Sequence, residues 1–221
     1  MIPTLIYCGS GNKRFDEIAM LYFKLGARCG TTVYYPIYFA DQNWKKPDKQ
    51  KYIAFIHKHK PVMSTVVDWI SKPDLSIVLE WAEEISSIVD KIIVIPKIVS
   101  GVDAIPDTIN GKEVILGYSV PTKYGKTITP LWEFGNRKVH LLGGSPQKQY
   151  EMSKYLNVVS LDGNMSLKMA TQYCAFWNTD KYKSKTGHWQ QLHEIGIKDQ
   201  KDAIYQAFEM SCKNIYNFWQ D

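Results

Sequence analysis

The chain has 221 residues, with 27 Lys+Arg against 22 Asp+Glu, 45% hydrophobic and 22% charged residues. This is the size and composition of one globular core, and it excludes a disordered, collagenous or coiled-coil chain. A net charge of +5 suits a nucleic-acid-binding protein and a plain basic enzyme equally, so charge selects neither.

The chain starts with a short apolar run followed by Lys13 and Arg14, the reverse of a secretory signal. No run reaches the ~18 consecutive apolar residues of a membrane span. The expectation is a soluble, non-exported protein with no membrane partner. Taken in chain order, the strand-like runs are Thr4 to Gly9, Thr31 to Asp41, Val62 to Trp69, Lys91 to Ile98, Glu113 to Val120, Lys138 to Gly144 and Asn157 to Gly163. Helical spacing lies between them over Phe15 to Ala27, Asp48 to Lys60 and Asp74 to Asp90, long enough for right-handed crossovers between parallel strands. Runs such as KIIVIPKI are apolar on both faces, which favours a parallel sheet covered by helices. A barrel and a doubly wound sheet both fit.

Pro121 to Asn136 has no clear periodicity and reads as a long loop. After Gly163 the pattern turns helical, over Met165 to Trp177 and Lys201 to Gln220, with the basic segment Asn178 to Gly187 between them. No strand is expected there. The expected organisation is an α/β body over 1–164 and a C-terminal helical extension over 165–221.

In parallel α/β folds chemistry gathers at the carboxyl ends of the strands. Three of these ends carry an aspartate here: Asp41, Asp68 and Asp162. Any one alone reads equally well as a helix N-cap. Three facing one mouth would raise each other's pKa at a cost in stability, which argues for a site in which one carboxylate attacks and another moves protons. Other residues at strand ends are Lys97, Gly117, Tyr118, the turn Gly143-Gly144-Ser145-Pro146, and Asn164. Such a glycine turn before a helix either cradles a phosphate or is simply a tight turn. Tyr118, Trp69 and Tyr38 are candidates for stacking on a base, set against ordinary core packing.

The loop Gly9 to Arg14 lacks both GxGxxG and GK[ST], and no GxSxG occurs, so dinucleotide, P-loop and serine-elbow sites are set aside. His57 and His59 lie on a charged helical stretch and read as solvated. Cys8, Cys29, Cys174 and Cys212 form no CxxC pair. A structural zinc on Cys174, Cys212, His188 and His193 would lack any compact motif spacing, so no metal or cofactor is expected.

The stretch Val139 to Asn164, VHLLGGSPQKQYEMSKYLNVVSLDGN, resembles the end of the barrel in the tRNA-guanine transglycosylase superfamily, where a glycine-rich turn with a proline is followed by a strand ending in the nucleophilic aspartate. The resemblance covers roughly residues 30–165 and is greatest to the compact phage-type branch that inserts 7-deazaguanines into DNA (DpdA-like). It implies a TIM-like (β/α) barrel and a pentosyltransferase that exchanges guanine in nucleic acid for a base such as 7-cyano-7-deazaguanine. DNA would be preferred over tRNA, and the location would be the cytoplasm, that of the host for a phage-encoded member. Asp162 would be the nucleophile and Asp41 the proton-transfer residue. Asp68 would read the purine edge, and Lys97 and Gly117 would line the base pocket. Tyr118, Gly143, Gly144, Ser145 and Asn164 would complete substrate binding. Phosphate contacts would come from the glycine turn, Lys123, Lys126 and the Asn178 to Lys185 segment.

The sequence departs from the family pattern in having Gln42-Asn43 in place of Ser-Gly, Lys97 in place of an amide, and no CxCxxC zinc site. Seven visible strands leave the barrel incomplete, or one strand hidden within Pro121 to Asn136. Two other functions fit the same residues: a nucleoside or nucleotide N-glycosidase that uses water, and a non-catalytic nucleic-acid-binding barrel.

Overall fold

A computed structural model describes residues 2–122, 127–179, 185–197 and 202–220. The elements are, in order, β1 (Thr4–Cys8), α1 (Lys13–Ala19), β2 (Lys24–Arg28), β3 (Phe39–Asp41), α2 (Lys49–His59), β4 (Met63–Thr65), α3 (Leu75–Ile85), β5 (Lys91–Val94), β6 (Thr108–Ile109), β7 (Lys112–Ser119), β8 (Lys138–Leu142), α4 (Pro146–Ser153), β9 (Asn157–Gly163), α5 (Met165–Tyr173), β10 (Ala175–Thr179), β11 (Gly187–Gln191) and α6 (Ala203–Gln220). Parallel pairing runs from β1 through β2, β3, β4, β5, β7, β8 and β9 and returns to β1. The result is a closed eight-stranded TIM-like barrel. β6 stands outside the ring as a hairpin partner of β7. Its Asn110-Gly111 turn has φ of 49° and 75°, the positive values a two-residue hairpin requires.

Side chains alternate across the wall with period two. Ile6, Phe39, Met63, Ile93, Ile95 and Ile115 fill the interior, while their neighbours face the helices. On β7 the small residue Gly117 is what lets the interior close. A Cβ there would lie 2.5 Å from Ile95 Cγ1, so this glycine is explained by packing inside the barrel.

The eighth strand is β2, which the sequence pattern places inside a Phe15 to Ala27 helix. Asn12 caps α1 by accepting from the Arg14 and Phe15 amides. Phe15 and Ala19 are buried one turn apart, but Met20 and Leu21 are exposed, so the apolar stripe stops at Ala19. Leu25 and Ala27 then bury on one face of a strand. Of the expected Thr31 to Asp41 strand only Phe39–Asp41 pairs; Pro36, which has no N–H to give, lies in the unpaired part. Pro121 to Asn136 holds no strand among its described residues, only a 3-10 turn at Leu131–Phe134.

The C-terminal part contains strands after all. α5 ends at Tyr173, Cys174 takes the left-handed conformation (φ 48°), and β10 and β11 pair antiparallel beyond it. α6 packs against the barrel through Phe208, whose ring lies 5.1 Å from both Tyr7 and Phe15, and against α4 through Phe218, 5.3 Å from Tyr150. Among the described residues no helix is long and apolar enough to cross a membrane.

Candidate active site at the carboxyl ends of the strands

Asp162 is the last interior-facing residue of β9 and is buried, 8% exposed. Both of its carboxylate oxygens are held. The Gly143 amide donates to Oδ1 (3.1 Å) and the Cys8 thiol donates to Oδ2 (2.9 Å). Gly143 and Gly144 have φ of 66° and 89°, and a Cβ on Gly144 would lie 2.5 Å from Val120, so only glycine fits there. Gln149 clamps the turn from α4: its Nε2 donates to the Gly143 carbonyl (2.9 Å) and the Asp162 carbonyl (2.8 Å).

These bonds change the meaning of the Gly-Gly-Ser-Pro turn. The Gly143 amide is committed to Asp162, and the Ser145 hydroxyl caps α4 by accepting from the Lys148 amide (3.4 Å). The turn therefore orients a carboxylate, and the phosphate cradle expected of Gly143 and Ser145 finds those two groups occupied.

Below Asp162, fully buried His140 points into the barrel. Its Nδ1 shares a hydrogen bond with Ser160 Oγ (2.8 Å), and its Nε2 lies 3.5 Å from Asp162 Oδ1. Nε2 has no partner at hydrogen-bond geometry, so its contact with Asp162 is electrostatic. Cys8 has a thiol pushed well above its ordinary range, first by burial and then by the charges of Asp162 and Asp41. It remains a protonated donor at neutral pH.

Asp41 ends β3 on the same interior side. Thr65 Oγ1 donates to its Oδ1 (3.0 Å) and accepts from the Gln42 amide (2.9 Å). Tyr52 of α2 ties the two strands below, donating to the Ala40 carbonyl (3.0 Å) and the Thr65 carbonyl (2.9 Å). The Asp41 carboxyl is raised to about 7, by burial first and by the neighbouring Asp162 second, against the opposing Thr65 bond; Asp68 adds to the rise and Arg28 offsets it. Asp68 and Lys97, beyond the ends of β4 and β5, form an ion pair at 2.6 Å. Asn164 is exposed just after β9, where its carbonyl accepts from the Lys168 amide (3.1 Å).

The geometry thus brings together Asp41, Asp162, the Asp68–Lys97 pair and Gly143. It does not bring in the nominated aromatics. Tyr118 faces outward, 5% exposed, with its ring edge-on to Phe134 at 5.5 Å, because its neighbours Gly117 and Ser119 take the interior side of β7. Trp69 is 2% exposed and donates Nε1 to the Ser71 carbonyl (2.7 Å). Tyr38 stands at the amino end of β3, opposite Asp41. Lys123, Lys126 and residues 180–184 lie outside the described residues.

Cys8, Arg28, Thr65, His140 and Ser160 belong to the site and were not singled out from sequence. The signal for Cys8 and His140 was strand parity: each is two residues from an interior-facing neighbour, Ile6 and Leu142. Among the described residues no group of three or more His, Cys, Asp or Glu could hold a metal ion. His188 and His193 are exposed, while Cys212 is fully buried in α6.

Among solved structures the chain is similar to N-(5'-phosphoribosyl)anthranilate isomerase from Pyrococcus furiosus, at 14% identity and a TM-score of 0.41, covering 97% of this chain and 99% of that one. No curated protein sequence matches. The profile of the family of unknown function DUF6610 matches residues 26–220, a span holding every barrel strand except β1 and the first two residues of β2, and the chain belongs to that family.

Proposed function

We propose that the protein is a guanine transglycosylase that exchanges guanine in nucleic acid, preferably DNA, for a 7-deazaguanine base. The observation that carries this reading is the pair of differently held carboxylates at one mouth. Asp162 is oriented by donors on both oxygens, while Asp41 is raised to about 7 and holds or gives up a proton near neutrality. A carboxyl that carries a proton near neutrality beside a carboxylate held by hydrogen-bond donors is an arrangement that divides acid and nucleophile roles.

In the proposed reaction an Asp162 oxygen bonds to the sugar C1′ as the bond from C1′ to guanine breaks, leaving an ester-linked glycosyl enzyme. Asp41 donates its proton to the departing purine. It later takes one from the incoming base, whose nitrogen displaces Asp162 and restores the carboxylate. The Asp68–Lys97 pair matches the edge of a 2-amino-6-oxopurine: the carboxylate accepts from ring and exocyclic N–H groups, and the ammonium donates to the carbonyl. A base without those groups leaves the remaining hydrogen-bonding capacity of this mostly buried pair unmet.

The test is incubation with labelled guanine and labelled 7-cyano-7-deazaguanine over double-stranded DNA, single-stranded DNA and unmodified tRNA, with Asp162→Asn as control. The expected result is label in DNA with the wild type alone. Release of free guanine without incorporation would replace exchange by hydrolysis. Absence of both incorporated label and free guanine would overturn the enzymatic reading.

A further inference from the structure

We infer that the mouth of the barrel is a docking surface for an unpaired polynucleotide strand, with Trp44 as its stacking platform. This rests on the nucleic-acid reading above and adds where and in what form the polymer binds. The aromatics that the sequence nominates for stacking are buried or at the wrong end of the barrel. Exposed apolar side chains stand instead directly after three of the site residues. Trp44 follows Asp41 by three positions and is 45% exposed, Ile70 follows Asp68 by two and is 65% exposed, and Val99 follows Lys97 by two and is 49% exposed. Successive Cα atoms are about 3.8 Å apart, so all three Cα atoms lie within roughly 11 Å of those site residues' own.

Charge identifies the occupant. At the opposite end of the barrel Lys91 and Lys138 pair with Glu113 and Lys112 with Asp90, while Lys24 makes no ion pair among the described residues. At the mouth, Arg28, Lys45 and Lys46 make no ion pair among the described residues. Arg28 sits in register beside Asp41, and Lys45 Nζ lies 5.3 Å from the centre of the Trp44 ring. Exposed aromatic and aliphatic surface interleaved with the ammonium groups of Lys45 and Lys46, around a recessed pair of carboxylates, complements a strand whose bases are free to stack and whose phosphates need counter-charge. A duplex hides those base faces. The tight turn from Asp41 to Lys46, closed by the Trp44 amide to the Gln42 carbonyl (3.1 Å) and the Lys46 amide to the Asn43 carbonyl (3.0 Å), fixes the platform beside the site.

The test is fluorescence anisotropy of the full wild-type chain with a labelled 12-nucleotide single strand and a hairpin duplex of the same sequence, from 50 to 300 mM NaCl, alongside Trp44→Ala, Lys45→Ala/Lys46→Ala and Tyr216→Ala. Tyr216 is an exposed aromatic on α6, away from the mouth. The expected results are tighter binding of the single strand than of the duplex and a loss of about fivefold or more in Trp44→Ala with an unchanged Tm. The double lysine variant should have a salt slope shallower by about 1.4, and Tyr216→Ala should be unaffected. Equal binding of duplex, wild-type affinity in Trp44→Ala, or no binding at 50 mM salt would overturn the surface. Strand binding as expected without base exchange would overturn the transglycosylase reading alone, and base exchange with full affinity in Trp44→Ala would overturn the platform alone.

Discussion

Two arcs of the barrel wall treat their interior side chains differently. From β3 to β7 the interior, below Asp41 and Thr65 at the mouth, is Phe39, Met63, Ile93, Ile95 and Ile115, all at most 3% exposed. From β8 through β9 to β1 it contains His140, Ser160, Asp162 and Cys8, joined by contacts of 2.8 to 3.5 Å. Polar groups buried on this scale cost stability unless each is partnered, so the second arc is an expense that the first arc must offset. The difference separates what holds the fold from what positions the chemistry, and substitutions in each arc should fail in different assays.

The largest expected effect is that of Asp162→Asn. The amide keeps the size of the carboxylate and can still accept from Gly143, but it is no nucleophile. Base exchange should fall by at least about 10³-fold, with an unchanged or higher Tm because a buried charge is gone. A variant that retained exchange would break the division between the arcs at its centre. Ile93→Ala tests the other arc. Removing this fully buried side chain should lower unfolding stability by about 2–5 kcal/mol, read as a shifted denaturant midpoint at constant m-value, while exchange by the folded fraction persists.

Asp41 sharpens the comparison because it bears on both assays. Its carboxyl is raised from 3.8 to about 7, chiefly by burial, so between those values the folded state holds a proton that the unfolded chain has lost. The contribution of Asp41 to stability should therefore be greatest below about pH 4, fall as pH rises through 7, and level off above it. Buried Asp16, raised to about 6 mainly by burial, acts in the same direction. Asp41→Asn should flatten most of this slope in urea titrations and lower exchange by about 10²-fold or more. Wild-type exchange should decline above about pH 7 as the proton donor is lost. A profile indifferent to Asp41 would remove it from proton transfer.

The sequence made the barrel legible where strands are apolar on both faces, as in Lys91–Val94, and where a cap marks a helix start, as at Asp48. It hid β2, because Leu25-Gly26-Ala27 continues the spacing of a short helix and has no β-branched residue. It overextended β3, because Val33, Tyr34 and Tyr35 have strand composition without a strand's partners. The carboxylates were readable from their position at strand ends, and the Asp68–Lys97 pair from the same rule applied twice. The support beneath Asp162 was not readable, since His140 and Cys8 meet it only through closure of the ring: Cys8 is 154 residues away in sequence.

Cys8 tests that closure with the smallest effect. Its thiol donates to Asp162 Oδ2 and is held protonated mainly by burial, with the carboxylate charge next. In Cys8→Ala, Asp162 keeps the Gly143 amide but loses one weak donor, so exchange should fall only about 2- to 10-fold, in line with a hydrogen bond worth roughly 1 kcal/mol. Cys8→Ser, with a stronger donor on a shorter bond, should recover part of that loss. The coupling can also be read without turnover. Asp162→Asn removes the nearest negative charge, so the Cys8 thiol should ionise at lower pH and react faster with iodoacetamide than in the wild type at the same pH, with Cys29 as the internal reference. Equal alkylation rates would mean that the two groups do not sense each other and that Gly143 alone orients the carboxylate. Faster alkylation in Asp162→Asn, together with partial rescue by serine, would make β1 a working part of the polar arc and not only the strand that closes the barrel.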